Sequence, residues 1–192
     1  MTSKKVLLIT LIAILSWLWM MIVHEFGHVL VGIFSGGAVS KVVLHPLELS
    51  RTELSVNLHP LAVAWGGPVV GCIVPLMVWV ALKTFAWRSL HLFQWFTGFC
   101  LIANGVYIGS GANTRIGDAG EMLAYGSDPW MLALFGLVTV PLGFFLWNGP
   151  GSKFGIGNKD ESTSTSAILV CGGLLALTVG AELLHTALAR FP

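Results

Sequence analysis

The segment Met21-Ile22-Val23-His24-Glu25-Phe26-Gly27-His28-Val29-Leu30 sets a His-Glu-x-x-His pattern inside an apolar run. Residues four apart on a helix lie one above the other on the same face, so His24 and His28 offer two imidazoles to one point. A rigid helix then supplies two of the nitrogen ligands that a zinc ion takes at about 2.0–2.1 Å. Glu25 follows the first histidine, within reach of a water activated by that ion, and can accept its proton. In a soluble helix the same five residues are often two surface histidines beside a solvated glutamate. Here the run from Trp17 to Val23 precedes the pattern, and Val29, Leu30, Val31, Ile33 and Phe34 follow it. A glutamate and two histidines at membrane depth are costly unless something pairs with them, and a metal ion does so.

Composition explains that setting. The chain has 192 residues, 55% hydrophobic and only 10% charged, with a mean hydropathy of +0.83. Soluble domains carry about 25% charged residues, so so much apolar surface calls for lipid. The expectation is an all-α polytopic membrane protein. A net charge of +1 gives no reason to expect a nucleic-acid partner. Cys72, Cys100 and Cys171 each fall in an apolar stretch and read as small packing residues, not as a disulfide framework.

Hydropathy divides residues 1–192, read as a single membrane-embedded domain, into about five transmembrane helices: 6–34, 61–82, 91–108, 130–147 and 166–188. The first resembles a secretory signal at Lys4, Lys5 and the apolar run after them, but no Ala-x-Ala-like site precedes the motif, so it is expected to stay uncleaved. It covers about 43 Å as a helix, more than the ~30 Å hydrocarbon core, which puts the motif in its far half. Gly36-Gly37 is a helix stop. Residues 38–58 alternate apolar and polar and predict a short β-hairpin with its turn near Ser50-Arg51-Thr52-Glu53. Its open edge suits an extended peptide; an amphipathic loop on the membrane is the other reading. His45 and His59, in two Leu-His-Pro-Leu repeats, are interfacial polar residues or additional ligands. Gly66-Gly67-Pro68 in the second span permits close backbone approach or a kink. A glycine-rich break from Gly109 carries Asp118 and Glu121, and a polar loop covers 148–165. Glu182 and His185 share a face of the last span, at the interface or paired with Arg115.

Counting spans brings Asp118 and Glu121 out on the same side of the membrane as His24 and His28. With the N-terminus inside, Lys4, Lys5, Lys83, Arg88, Lys153 and Lys159 lie on the inner side, against Lys41, Arg51, Arg115 and Arg190 outside. Six against four leans toward a cytoplasmic N-terminus.

His24-Glu25-Phe26-Gly27-His28 in a long first helix, a hairpin-like segment, Gly66-Gly67-Pro68 in the next span and Gly117-Asp118-Ala119-Gly120 near a later helix start resemble the site-2 protease family of intramembrane zinc metalloproteases. The resemblance covers roughly residues 15–125. Asp118 is followed by Ala119 and then Gly120 where the family shows an Asp-Gly pair, and no Asn-Pro precedes it, which leaves Asn104 and Asn113 as candidates to position substrate. No appended peptide-binding or nucleotide-sensing domain is expected, so a nucleotide partner is not. The resemblance implies a zinc metalloendopeptidase that hydrolyses a peptide bond in or near the transmembrane helix of a protein substrate. It would use one Zn2+ per chain, with Glu25 as the catalytic base. The alternative is a catalytically silent zinc-binding scaffold or sensor, which needs a fourth protein ligand. A metal transporter is a further alternative, against which the sequence shows no repeated pair of broken helices. Asp118 is taken as the third ligand with His24 and His28. The glycines on either side let its backbone approach the motif helix, and the family has an aspartate near this place. A different membrane zinc protease would use Glu121.

Overall fold

The computed structural model describes residues 3–85, 90–148 and 165–188. Among them, the order is α1 (Ser3–Phe34), β1 (Ala38–Val43), β2 (Arg51–Val56), α2 (Pro60–Thr84), α3 (Leu90–Thr114), α4 (Gly117–Ala124), α5 (Pro129–Trp147) and α6 (Thr165–Leu188). All of these except the two strands and the short α4 are long and apolar enough to cross a membrane. This is the architecture of a multi-pass membrane protein with a hairpin after its first helix. Most of the expected polar loop, and the charges Arg88, Lys153, Lys159 and Arg190, lie outside the described residues.

α1 runs 32 residues without interruption. It ends where glycine allows it to: Gly36 has φ 80°, its N–H reaches the Ile33 carbonyl at 3.0 Å, and the Gly37 N–H reaches the Gly32 carbonyl at 2.8 Å. The two bonds satisfy carbonyls that the last turn would otherwise leave open.

The hairpin is antiparallel, but its turn is not at residues 50–53. Val43 pairs with Arg51, Val42 with Thr52 and Lys41 with Glu53, so Arg51, Thr52 and Glu53 are strand and the turn lies before them. Pro46 accounts for the shift: it sits inside a turn closed by the Glu48 N–H on the His45 carbonyl at 3.2 Å, so the chain reverses before residue 50. Leu47 and Leu49 are therefore exposed loop residues. Opposite charges at Lys41 and Glu53 face each other across the ladder, while Thr52 and Leu54 are the half-buried positions of β2.

The third helix also departs from the expected pattern. It does not break at Gly109 but continues to Thr114. The glycines there serve packing: a Cβ on Gly109 would stand 3.2 Å from the Gly136 Cα of α5, and one on Gly111 would run into the Ala119 Cβ of α4. Small residues let helix backbones meet in a membrane, where no hydrophobic force drives apolar helices together. The break comes instead at residues 115–117, where Arg115 (φ 54°) and Gly117 (φ 61°) are both left-handed. That turn folds α4 back over the end of α3. Ala119 and Met122 of α4 pack there with Ala64, Ile108 and Leu132. A second buried cluster joins Leu18, Met20 and Met21 of α1 to Cys100 of α3. The candidate site lies between these clusters. All three cysteines are buried and unpaired.

Candidate metal centre

His24, Glu25 and His28 are all buried on α1. α2 crosses α1 at this height with almost no space between backbones. A Cβ on Gly27 would collide with the Gly66 carbonyl, and one on Gly66 would stand 2.8 Å from the Gly27 carbonyl oxygen. Gly67 faces the histidines themselves: a Cβ there would strike His28 Nε2 and lie 2.7 Å from His24 Nε2. The glycine pair is thus a matter of approach, and α2 stays helical through Pro68.

The two imidazoles are fixed from behind. His28 Nδ1 lies 2.8 Å from the Val63 carbonyl oxygen of α2. A carbonyl can only accept, so this nitrogen carries the hydrogen. His24 Nδ1 lies 2.7 Å from Asn104 Oδ1 of α3. The Asn104 amide nitrogen donates to the Cys100 carbonyl at 2.9 Å, which turns its oxygen toward the ring. Asn104 is 1% exposed. With both Nδ1 atoms donating, each neutral ring presents a lone pair at Nε2. Carboxylate and carbonyl partners of this kind set the tautomer of metal-binding histidines.

The two Nε2 atoms are 3.1 Å apart. Asp118 Oδ2, from the first turn of α4, is 2.8 Å from His24 Nε2 and 3.4 Å from His28 Nε2. Three electron-rich atoms facing one point repel unless a positive charge lies between them. Ligand atoms around a tetrahedral ion with ~2.1 Å bonds are about 3.4 Å apart, close to these separations. His24, His28 and Asp118 can therefore hold a metal ion, and they form the one such group found among the described residues. Were protons to take the place of an ion here, burial would push the Asp118 carboxyl up, but hydrogen bonds from protonated His24 and His28 and their charge would outweigh it and hold the carboxyl well below the usual carboxylate range. With an ion bound, the carboxylate is ionised and both Nε2 atoms are free of hydrogen, as ligands must be.

Asp118 owes its place to the left-handed turn. Gly117 packs against the Tyr107 hydroxyl, and the Asp118 N–H donates to that hydroxyl at 3.0 Å. Tyr107 was not singled out by sequence, although it follows Asn104 by three residues and so shares its helix face. Thr52 was missed as well: its hydroxyl donates to Glu25 Oε2 at 2.7 Å.

The remaining candidates lie elsewhere. Glu121 is exposed and outside the ligand group. His45 Nδ1 accepts from the Leu47 N–H at 3.2 Å, and His59 is exposed at the start of α2. Asn113 is exposed near the end of α3. His185 Nε2 donates to the Val42 carbonyl of β1 at 3.0 Å, and Glu182 is buried with neither carboxyl oxygen hydrogen-bonded among the described residues. Among the described residues no ion pair joins Arg115 to Glu121 or Glu182.

Comparison with protein-family models, with curated proteins and with solved structures finds no match for this chain.

Proposed function

We propose that this chain is an intramembrane zinc metalloprotease of the site-2 protease kind, cutting a peptide bond in or near a substrate's transmembrane helix. The observation that carries the reading is the convergence of His24 Nε2, His28 Nε2 and Asp118 Oδ2, with Glu25 buried beside His24 in a membrane-length helix.

The donor set, two imidazoles and one carboxylate, suits zinc, and three protein ligands leave a position for water or substrate. Zinc held there would polarise the scissile carbonyl and make water acidic near pH 7. Glu25 takes the water's proton and returns it to the leaving amine. The other ends of the two rings stay committed to Val63 and Asn104, so neither histidine is free to compete for that proton. The hairpin offers its edge to an unwound stretch of substrate. The N-terminus faces the cytoplasm.

A silent zinc scaffold would need a fourth protein ligand, and among the described residues neither His45 nor His59 joins the group. The test is cleavage in reconstituted vesicles of a panel of single-span proteins. Zinc-loaded protein should cut at least one of them near its membrane segment, chelation should stop the reaction, and added zinc should restore it. Cleavage that survives complete removal of the metal would refute the proposal.

A further inference from the structure

Glu25 is 3% exposed, yet its carboxylate is gripped from outside its own helix. The single Thr52 hydroxyl hydrogen goes to Oε2 at 2.7 Å, since the Glu25 backbone carbonyl is 3.5 Å away. Among the described residues no other side chain hydrogen-bonds this carboxylate. Thr52 is itself held in place. Its neighbour on the same strand face, Leu54, packs so tightly on α1 that a Cβ on Gly32 would stand 2.8 Å from its Cδ2. Directly across the ladder is Val42, whose carbonyl accepts from His185 of α6. Thr186 touches the same strand: its hydroxyl hydrogen goes to the Glu182 carbonyl at 2.9 Å, and its oxygen lies 3.2 Å from the Leu44 carbonyl. A continuous path of contacts thus runs from α6 through β1 and β2 to the Glu25 carboxylate.

A glutamate on its flexible stem samples several rotamers, and reaction requires one. A charge-assisted hydrogen bond is strong enough to select it, and a β-branched threonine is stiff at χ1, so its hydroxyl does not swing away. We propose that Thr52 is the positioning residue for Glu25. Its hydroxyl sets the orientation in which the carboxylate meets a ligand of the His24–His28–Asp118 group, and leaves Oε1 to receive that ligand's hydrogen. This rests on the metal-and-base reading above.

The experiment uses full-length protein loaded with Co2+, an ion that N/O sites of this type accept, and follows the visible spectrum during titration with acetohydroxamic acid. A hydroxamate chelates a metal through its two oxygens and gives its hydrogen to a neighbouring carboxylate. Thr52→Val should take up cobalt as wild type does and bind the hydroxamate about tenfold more weakly. Thr52→Ser should bind as wild type does. If valine disturbs the strand, Thr52→Ala against Thr52→Ser isolates the same oxygen. Wild-type affinity in Thr52→Val, or serine as weak as the variants without a hydroxyl, would overturn the positioning role alone. Failure of folded wild type to take up cobalt would overturn the metal reading, and this proposal with it.

Discussion

Glu25→Gln keeps its fold and its metal, and cleaves a transmembrane substrate about 10²–10⁴-fold more slowly, the usual size of a general-base contribution. The substitution is close to a single-function change. Glutamine has nearly the same shape, and its amide oxygen can still accept from the Thr52 hydroxyl that now holds Oε2. What it loses is the capacity to take a proton. The ligands His24, His28 and Asp118 are other residues, so metal content should not follow activity. Cleavage kinetics and metal analysis on the same preparation make the check. A glutamine variant that cleaves at the wild-type rate would show that Glu25 is not the base.

Asp118→Asn loses the metal severely, and Glu121→Gln retains it. The two carboxylates are three residues apart in one short helix, so sequence spacing separates them poorly. The structure separates them well: Asp118 Oδ2 lies 2.8 Å from His24 Nε2, while Glu121 is exposed. Asparagine removes the one negative charge from the donor set and offers a neutral oxygen in its place, leaving two histidines on one helix. Any loss in Glu121→Gln should stay within the 10–100-fold range of changes to groups that only support a ligand. Metal measured on folded protein, with folding followed by circular dichroism, gives the ranking. The reverse order would make Glu121 the ligand and favour a glutamate-type membrane zinc protease.

The parts of this molecule that were legible in sequence are those written in local periodicity. His24 and His28 are four apart in a helix, so one face follows from the spacing. Hydropathy marks the long helices because lipid demands apolar length. Counting spans correctly puts Asp118 on the side of the histidines. Two features misled. Gly109 and Gly111 read as a break, but in a membrane helix glycine is as often a contact, and α3 runs on to Thr114. The charges at Arg51 and Glu53 read as a turn, yet they occupy the exposed face of β2 while the chain reverses earlier, in the turn around Pro46. Asn104 entered only as a candidate to position substrate, and its partner, the back of His24, appears only when α1 and α3 meet. Thr52 and Tyr107 carry no local signal of comparable strength. Their roles exist only across 27 residues of chain in one case and 11 in the other.

The central claim is that His24, His28 and Asp118 hold zinc, and the most direct test is the metal content of the purified, folded wild-type chain, measured by elemental analysis after exhaustive dialysis. Three protein ligands in a tautomer-fixed site should retain about one zinc per chain. Folded protein that carries no zinc, and takes none up when it is supplied, would contradict the account.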